Sequence, residues 1–194
     1  MVEKETGVEQ KLPGIVLNRR LLFREFLIAL VPITALLAAL ASGSLVLLDY
    51  VHVITGGTWT GIDLFMGLVM TRIMRSLPIP QRVAIASRLT PKTLFLLPSL
   101  ASTAITAGVY MAMTEGVFSL HSPWIVAAIV VVTILTVQGF GFLMPNSIRI
   151  LLEIRKGNPD TEKIARLNLR NLRVSGSQAA FQIAIIFIMA NLAI

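Results

Sequence analysis

The amino-acid sequence predicts an all-α, polytopic membrane protein, a single helical bundle of about five transmembrane helices. Apolar residues make up 55% of the 194 residues, and the mean hydropathy is +0.80. The apolar residues are gathered into five runs, each close to the ~20 residues that cross a bilayer as a helix. All 17 Lys and Arg residues lie in segments that five such helices would place on one side of the membrane.

The five predicted spans are treated as one transmembrane domain covering residues 1–194. Because lipid offers no hydrogen-bond partners to the backbone, each span is expected to be helical. The least certain boundary separates the first two spans, where Ser42-Gly43-Ser44 is the only turn-like break. The predicted spans are residues 26–43, 48–73, 94–114, 123–144 and 175–194.

The distribution of basic residues predicts the orientation. They precede the first span, separate the second from the third, and separate the fourth from the fifth. The positive-inside rule then places the N-terminus in the cytoplasm and the C-terminus outside, as in a multi-pass protein of the plasma membrane. Residues 1–24 are predicted to be a cytoplasmic N-terminal segment, and residues 146–174 a cytoplasmic amphipathic connector.

The first apolar run also has features of a signal peptide, since Ala39-Leu40-Ala41 resembles a cleavage site. The segment before it is long for a signal peptide and carries several acidic residues. We therefore expect the run to be retained as a span. The acidic residues are Glu3, Glu5, Glu9 and Glu25.

The connector is expected to contain two helices. Residues 148–156 continue the fourth span, Gly157-Asn158-Pro159 ends that helix, and Asp160 caps a second helix that runs to about Arg173. Apolar and basic positions alternate in the second helix, which suits a helix lying on an anionic leaflet or against a partner subunit. A solvated connector is the other interpretation. The apolar positions are Ile164, Leu167, Leu169 and Leu172.

Several function classes have no support in the sequence. The chain has no cysteine, which excludes disulfides and thiolate metal sites. It contains no motif typical of a hydrolase or a kinase. The net charge of +7 is explained by topology, and without aromatic residues among the basic ones it does not indicate nucleic-acid binding.

The second span carries an imidazole, an indole and a carboxylate on one stripe. Trp59 and Asp63 follow His52 by seven and eleven residues, so at about 100° per residue all three lie within about 20° of one line. Asp63 should lie deep in the hydrocarbon, where a carboxyl group is costly and marks a functional or tightly paired site. It is either a proton site for transport or a neutral group bonded to a Thr or Gln of another helix. Gly56, Gly57, Gly61 and Gly67 allow close helix contact.

The residues near the outer ends of the helices include two histidines and two carboxylates. His52, His121, Asp49 and Glu115 are predicted at a similar level, and such a mixed set can bind copper, zinc or iron. A histidine bonded at a helix end is the alternative. Met66, Met70 and Met74 can pass Cu(I) or simply fill the core. Three glutamines are expected to bond between helices: Gln138, Gln178 and Gln182.

The second span resembles a known pattern. His52, Trp59 and Gly61 are similar to the His-x6-Trp-x-Gly helix of CopD-like copper-resistance membrane proteins and of the related HemJ-type protoporphyrinogen oxidases. The stretch 104–110 is similar to the end of the family's next helix, and Trp124 begins the fourth span as in that family. The resemblance implies that His52 is a haem or copper ligand.

The function expected from this resemblance is that of a divergent CopD-like protein. It would bind copper or haem b near the extracytoplasmic face, with His52 and Trp59 as cofactor-binding residues, and serve copper handling or electron transfer. The second histidine of the HemJ-type proteins is missing from residues 137–140. The alternative is a non-catalytic accessory subunit, without cofactor, of a larger membrane respiratory or metal-enzyme complex. The expected partners are the lipid bilayer and other membrane subunits.

Overall fold

The computed structural model describes residues 19–192, and these form five long helices. Each is long and apolar enough to cross a membrane, and no strand occurs among these residues. The predicted all-α fold and the number of spans are confirmed, and the chain is a multi-pass membrane protein. The predictions for residues 1–18 lie outside the described residues. The helices are α1 (Arg19–Ser42), α2 (Leu45–Ser76), α3 (Ile79–Thr114), α4 (Pro123–Ile154) and α5 (Thr161–Leu192).

Local sequence explains where the helices end. Gly43 adopts a φ of 65°, the left-handed conformation that glycine tolerates best, and the Ser44 hydroxyl accepts a hydrogen bond from the Leu47 amide at 3.3 Å. The predicted boundary after the first span is therefore confirmed. At the start of α5, the carboxylate of Asp160 accepts a bond from the Lys163 amide at 2.9 Å, which confirms the predicted cap.

The fifth helix differs from its prediction. We expected a connector helix ending near Arg173 and a separate span beginning at Ser175, but α5 runs unbroken from Thr161 to Leu192. The reason is that this stretch contains no proline, and its single glycine lies against α2 instead of ending the helix. The apolar side of its first turns is also covered by the chain itself, since Ile164 is fully buried.

Helices α2 to α5 are longer than a bilayer crossing requires, and their less apolar turns lie at the end that carries the basic residues, here called the basic end. Helix α3 has 36 residues, so it is roughly 54 Å long, whereas the hydrocarbon core is about 30 Å thick. The extra turns of α3, α4 and α5 pack together around an apolar cluster of their own. Its buried members are Val83, Ala86, Ile150, Ile164 and Ala165.

The packing order of the helices leaves a gap in the bundle. Helix α3 contacts α1, α2 and α5, and α1 packs against α2 and α3. Helix α4 packs along α5, but it joins α3 mainly through its last turns, Met144–Ile154, at the basic end. A cleft lies between α3 and α4 along the part of α4 from Leu135 to Ser147.

Two glycines allow α2 and α5 to touch. A Cβ atom added to Gly67 would lie 2.2 Å from the Cα of Gly176, and one added to Gly176 would lie 3.1 Å from the Cα of Gly67. No other atoms lie within 4 Å of such a Cβ at Gly57 or Gly61. The predicted role in close helix contact is therefore confirmed for Gly67, and the contact places Asp63 beside α5.

Candidate functional site

A row of polar side chains runs along α5 and faces the inside of the bundle. Its members are spaced three and four residues apart, which keeps them on one side of a helix. Four of the five are buried and Asn171 is half-buried. We call this row the α5 polar stripe; it consists of Asn168, Asn171, Ser175, Gln178 and Gln182.

Of the stripe, the sequence predicts interhelical hydrogen bonds for Gln178 and Gln182 only. The signal that identifies the others is the regular spacing, which continues from the predicted connector into the predicted span. The three glutamines do bond between helices, as predicted. Gln138 donates to the Ser177 hydroxyl at 3.2 Å, Gln178 to the Leu135 carbonyl at 3.0 Å and Gln182 to Asp63.

Asp63 lies at the Gln182 end of the stripe. Gln182 donates its side-chain N–H to Oδ2 of Asp63 at 3.0 Å, and Oδ1 of Asp63 has no hydrogen-bond partner within residues 19–192. Asp63 is fully buried, and it takes part in none of the ion pairs found among residues 19–192. The predicted contact with a glutamine of another helix is therefore present.

The cleft between α3 and α4 is lined along α5 by four members of the α5 polar stripe: Asn168, Asn171, Ser175 and Gln178. The space free of atoms along it is about 800 Å³ when the open mouth and the gaps between side chains are included, and about 70 Å³ of it is wide enough for water. Along α3 it extends from Leu89 to Ile105, roughly 24 Å at the rise of an α-helix. Trp59 and Met66 of α2 also line the cleft. The cleft is thus long and narrow and runs along the helices.

The two ends of the cleft differ in polarity. Towards the basic end its walls carry hydroxyl and amide groups, those of Thr90, Thr93, Ser147, Asn168 and Asn171. Towards the other end the walls are mainly apolar and include Trp59, Leu97, Ala101, Ile105 and Leu135. No ionisable side chain is among the described residues that line it.

Two amide oxygens at the polar end have no hydrogen-bond partner within the described part of the chain. They are the Oδ1 atoms of Asn168 and Asn171. Asn171 uses its N–H to donate to the Ser147 hydroxyl at 3.0 Å, and Asn168 is only 4% exposed. An unpaired buried polar group costs about 1–3 kcal/mol. These acceptors therefore favour a ligand that brings a donor, which reaches them only when neighbouring side chains move, because both oxygens are closed to water.

His52 lies outside the cleft, on the side of α2 that faces α3. Its Nδ1 is 2.8 Å from the carbonyl oxygen of Ala104. A carbonyl only accepts, so Nδ1 carries the proton and Nε2 is left for another partner. A Cβ at Gly108 would lie 2.8 Å from Cε1 of the ring, so a larger residue there would require the His52 ring to move. Of the two predicted cofactor residues, Trp59 lines the cleft and His52 does not.

The residues of the predicted metal site do not form a cluster. Asp49, Glu115 and His121 are exposed. Across residues 19–192, no three His, Asp or Glu side chains lie together in a way that could hold a metal ion. Metal binding at these residues therefore stays a prediction. Met66 and Met74 are buried in one apolar cluster with Leu172, as expected for core residues.

Comparison of the chain with protein families, with curated proteins and with solved structures gives no match. The CopD-like resemblance thus rests on the motifs of the second and later spans alone.

Proposed function

We propose that the protein binds a neutral, hydroxyl-bearing amphipathic lipid inside the membrane. The polar head would lie at Asn168 and Asn171, and the hydrocarbon chain would lie along α3 towards Ile105. The observation that carries this proposal is the polarity of the cleft, with unpaired acceptors at one end and apolar walls at the other.

The shape of the cleft supports a chain-like ligand. Its length of roughly 24 Å approaches the ~30 Å of the hydrocarbon core, so a chain can lie in it along the bilayer normal. The mouth lies between α3 and α4, where Phe140 is 45% exposed. A ligand can therefore enter from the lipid without crossing water.

The lining also supports a neutral head that carries a donor. With no ionisable side chain in the walls, a charged group would be buried without a counter-charge at high cost. A hydroxyl group supplies the hydrogen that the Oδ1 atoms of Asn168 and Asn171 lack.

The test is to identify the lipids that copurify with the full chain after mild detergent extraction. We expect a neutral hydroxyl-bearing lipid to be enriched over its share of the source membrane. Asn168→Leu combined with Asn171→Leu should reduce its retention about tenfold, because about 1.4 kcal/mol of binding energy is lost. Asn191→Leu is the matched control, since Asn191 lies on the same helix outside the cleft and, within residues 19–192, its side chain donates to the Phe187 carbonyl of its own helix at 2.8 Å.

Two results would contradict the proposal. One is a set of copurified lipids with the same composition as the membrane. The other is an equal loss of the enriched lipid from the Asn191→Leu control, which would mean that the loss follows from general destabilisation.

A second candidate is a metal or haem site at His52, with copper or haem b as the cofactor that the resemblance implies. The observation that favours it is the bond from Nδ1 to the Ala104 carbonyl at 2.8 Å. Histidines that bind metals usually donate their other ring N–H in this way, which fixes the ring and leaves one nitrogen as a ligand. The remaining ligands of the metal or haem would have to come from residues other than His52.

An absorption spectrum with metal analysis of the gently extracted protein tests this candidate. A Soret band or stoichiometric copper that is lost in His52→Ala would support it. A colourless, metal-free protein would contradict it. If that protein also arrives with stoichiometric partner subunits, the accessory-subunit alternative gains support.

A further inference from the structure

A second concave site lies at the basic end, on the side of α5 opposite to the polar stripe. At about 100° per residue, the arginines of α5 that line it point away from Asn168 and Asn171. The concavity holds about 1160 Å³ of space free of atoms and is open to its surroundings. Four arginines line it: Arg82 of α3, and Arg166, Arg170 and Arg173 of α5.

The positive charge of this arginine pocket is not balanced by ion pairs within residues 19–192. Its only acidic lining residue is Glu162, and none of the four arginines takes part in the three ion pairs seen among residues 19–192. In those pairs Glu25 and Glu153 contact lysines only. Four cations around one concavity repel one another, so the site favours an anion.

Two of the guanidinium groups are held in place. Arg82 donates from Nε to the Leu77 carbonyl at 2.7 Å and from Nη2 to the Arg75 carbonyl at 3.0 Å. Its remaining N–H groups are left for a ligand. The guanidinium carbon of Arg170 lies 5.9 Å from the centre of the Phe142 ring. Side chains that are already ordered lose less entropy when they bind.

The position along α5 places the pocket at the level of lipid headgroups. Arg173 is the last basic residue of the chain, and the rest of α5 crosses the membrane. Ile79 and Leu169 add apolar surface to the lining. An anionic headgroup bound here can therefore belong to a lipid whose acyl chains stay in the bilayer.

We propose that the arginine pocket binds a phosphate group presented by an anionic phospholipid. Guanidinium groups bind phosphate oxygens through paired, charge-assisted hydrogen bonds. The site is separate from the neutral cleft and goes beyond the function proposed above.

The test uses the full chain in nanodiscs of phosphatidylcholine, with and without phosphatidylglycerol. Native mass spectrometry counts bound phosphatidylglycerol, and thermal unfolding gives its effect on the midpoint. The pocket variant is Arg166→Gln, Arg170→Gln and Arg173→Gln together. The control changes the net charge equally at exposed sites outside the pocket: Arg24→Gln, Arg149→Gln and Arg155→Gln. A third arm adds millimolar inorganic phosphate to discs without phosphatidylglycerol.

We expect the pocket variant to bind phosphatidylglycerol at least about tenfold more weakly, and the control to change by less than about threefold. An equal loss in both variants would indicate general attraction to the leaflet and overturn the proposal. Stabilisation by inorganic phosphate without any effect of phosphatidylglycerol would overturn the lipid assignment. If the triple variant does not fold, Arg173→Gln alone gives the same comparison against Arg155→Gln.

Discussion

The side-chain N–H of Gln182 donates a hydrogen bond to Oδ2 of Asp63 at 3.0 Å and joins α5 to α2 deep inside the bundle. Both residues are at most 1% exposed, so neither can turn to water if the other is lost. The pair is therefore a structural link, and it also ends the α5 polar stripe.

Removing one partner of this pair should destabilise the fold. We expect Gln182→Leu to lower the free energy of unfolding by about 1–3 kcal/mol, because it leaves the carboxyl group without its donor. Asp63→Asn preserves the shape and a bonding partner, so it should cost less. Unfolding in mixed detergent micelles measures both. Asp63→Leu closes a double-variant cycle with Gln182→Leu. If the variant with both changes loses as much stability as the sum of Asp63→Leu alone and Gln182→Leu alone, the pairing is contradicted.

The glycine crossing gives a second prediction. Gly67→Ala should lower the free energy of unfolding by about 2 kcal/mol, because its Cβ would lie 2.2 Å from the Cα of Gly176 and would force α2 and α5 apart. Gly61→Ala, where no atom lies within 4 Å, is the control on the same helix and should cause no loss. Equal stability of the two variants would argue against the close contact.

The bond of His52 predicts its tautomer. Neutral His52 should carry its proton on Nδ1, because its partner, the Ala104 carbonyl at 2.8 Å, can only accept. The chain has two histidines, so nitrogen NMR of ¹⁵N-histidine-labelled protein can separate them, with His121→Ala assigning the signals. Gly108→Leu should displace the ring and change the His52 spectrum. A proton found on Nε2 would rule out this hydrogen bond.

The orientation predicted from the basic residues can be tested by labelling. Because the chain has no cysteine, single cysteines can be introduced into an otherwise unreactive protein. Asn158→Cys lies between α4 and α5 and Leu120→Cys between α3 and α4, and both positions are exposed. In intact cells an impermeant thiol reagent should label position 120 and not position 158. The reverse pattern would mean that the protein has the opposite orientation.

The sequence predicts the spans well because lipid imposes a simple requirement on them. Backbone groups must bond within each helix, so apolar length alone identifies a span. The turn at Gly43 and the cap at Asp160 were also predictable, because both depend on the local chain. The sequence also predicts the type of partner that Asp63 contacts, a Thr or Gln of another helix, because few groups at that depth can bond to a carboxyl group.

The cleft could not be predicted from the sequence. It depends on the rotation of α5 and on the separation of α3 from α4, which packing across the whole bundle determines. Asn168 and Asn171 therefore fell within a connector that was interpreted as cytoplasmic. The end of that connector was misplaced because Ser175 and Gly176 are poor helix formers in isolation, whereas in the bundle Gly176 allows α5 to pass α2.

The mouth between α3 and α4 also determines which measure of concentration applies to the lipid binding proposed above. A molecule that reaches Phe140 through the hydrocarbon diffuses in two dimensions, and its aqueous concentration is close to zero throughout. Occupancy then depends on the mole fraction of the ligand among the membrane lipids. Diluting the protein in buffer leaves occupancy unchanged, whereas diluting it with added lipid empties the site.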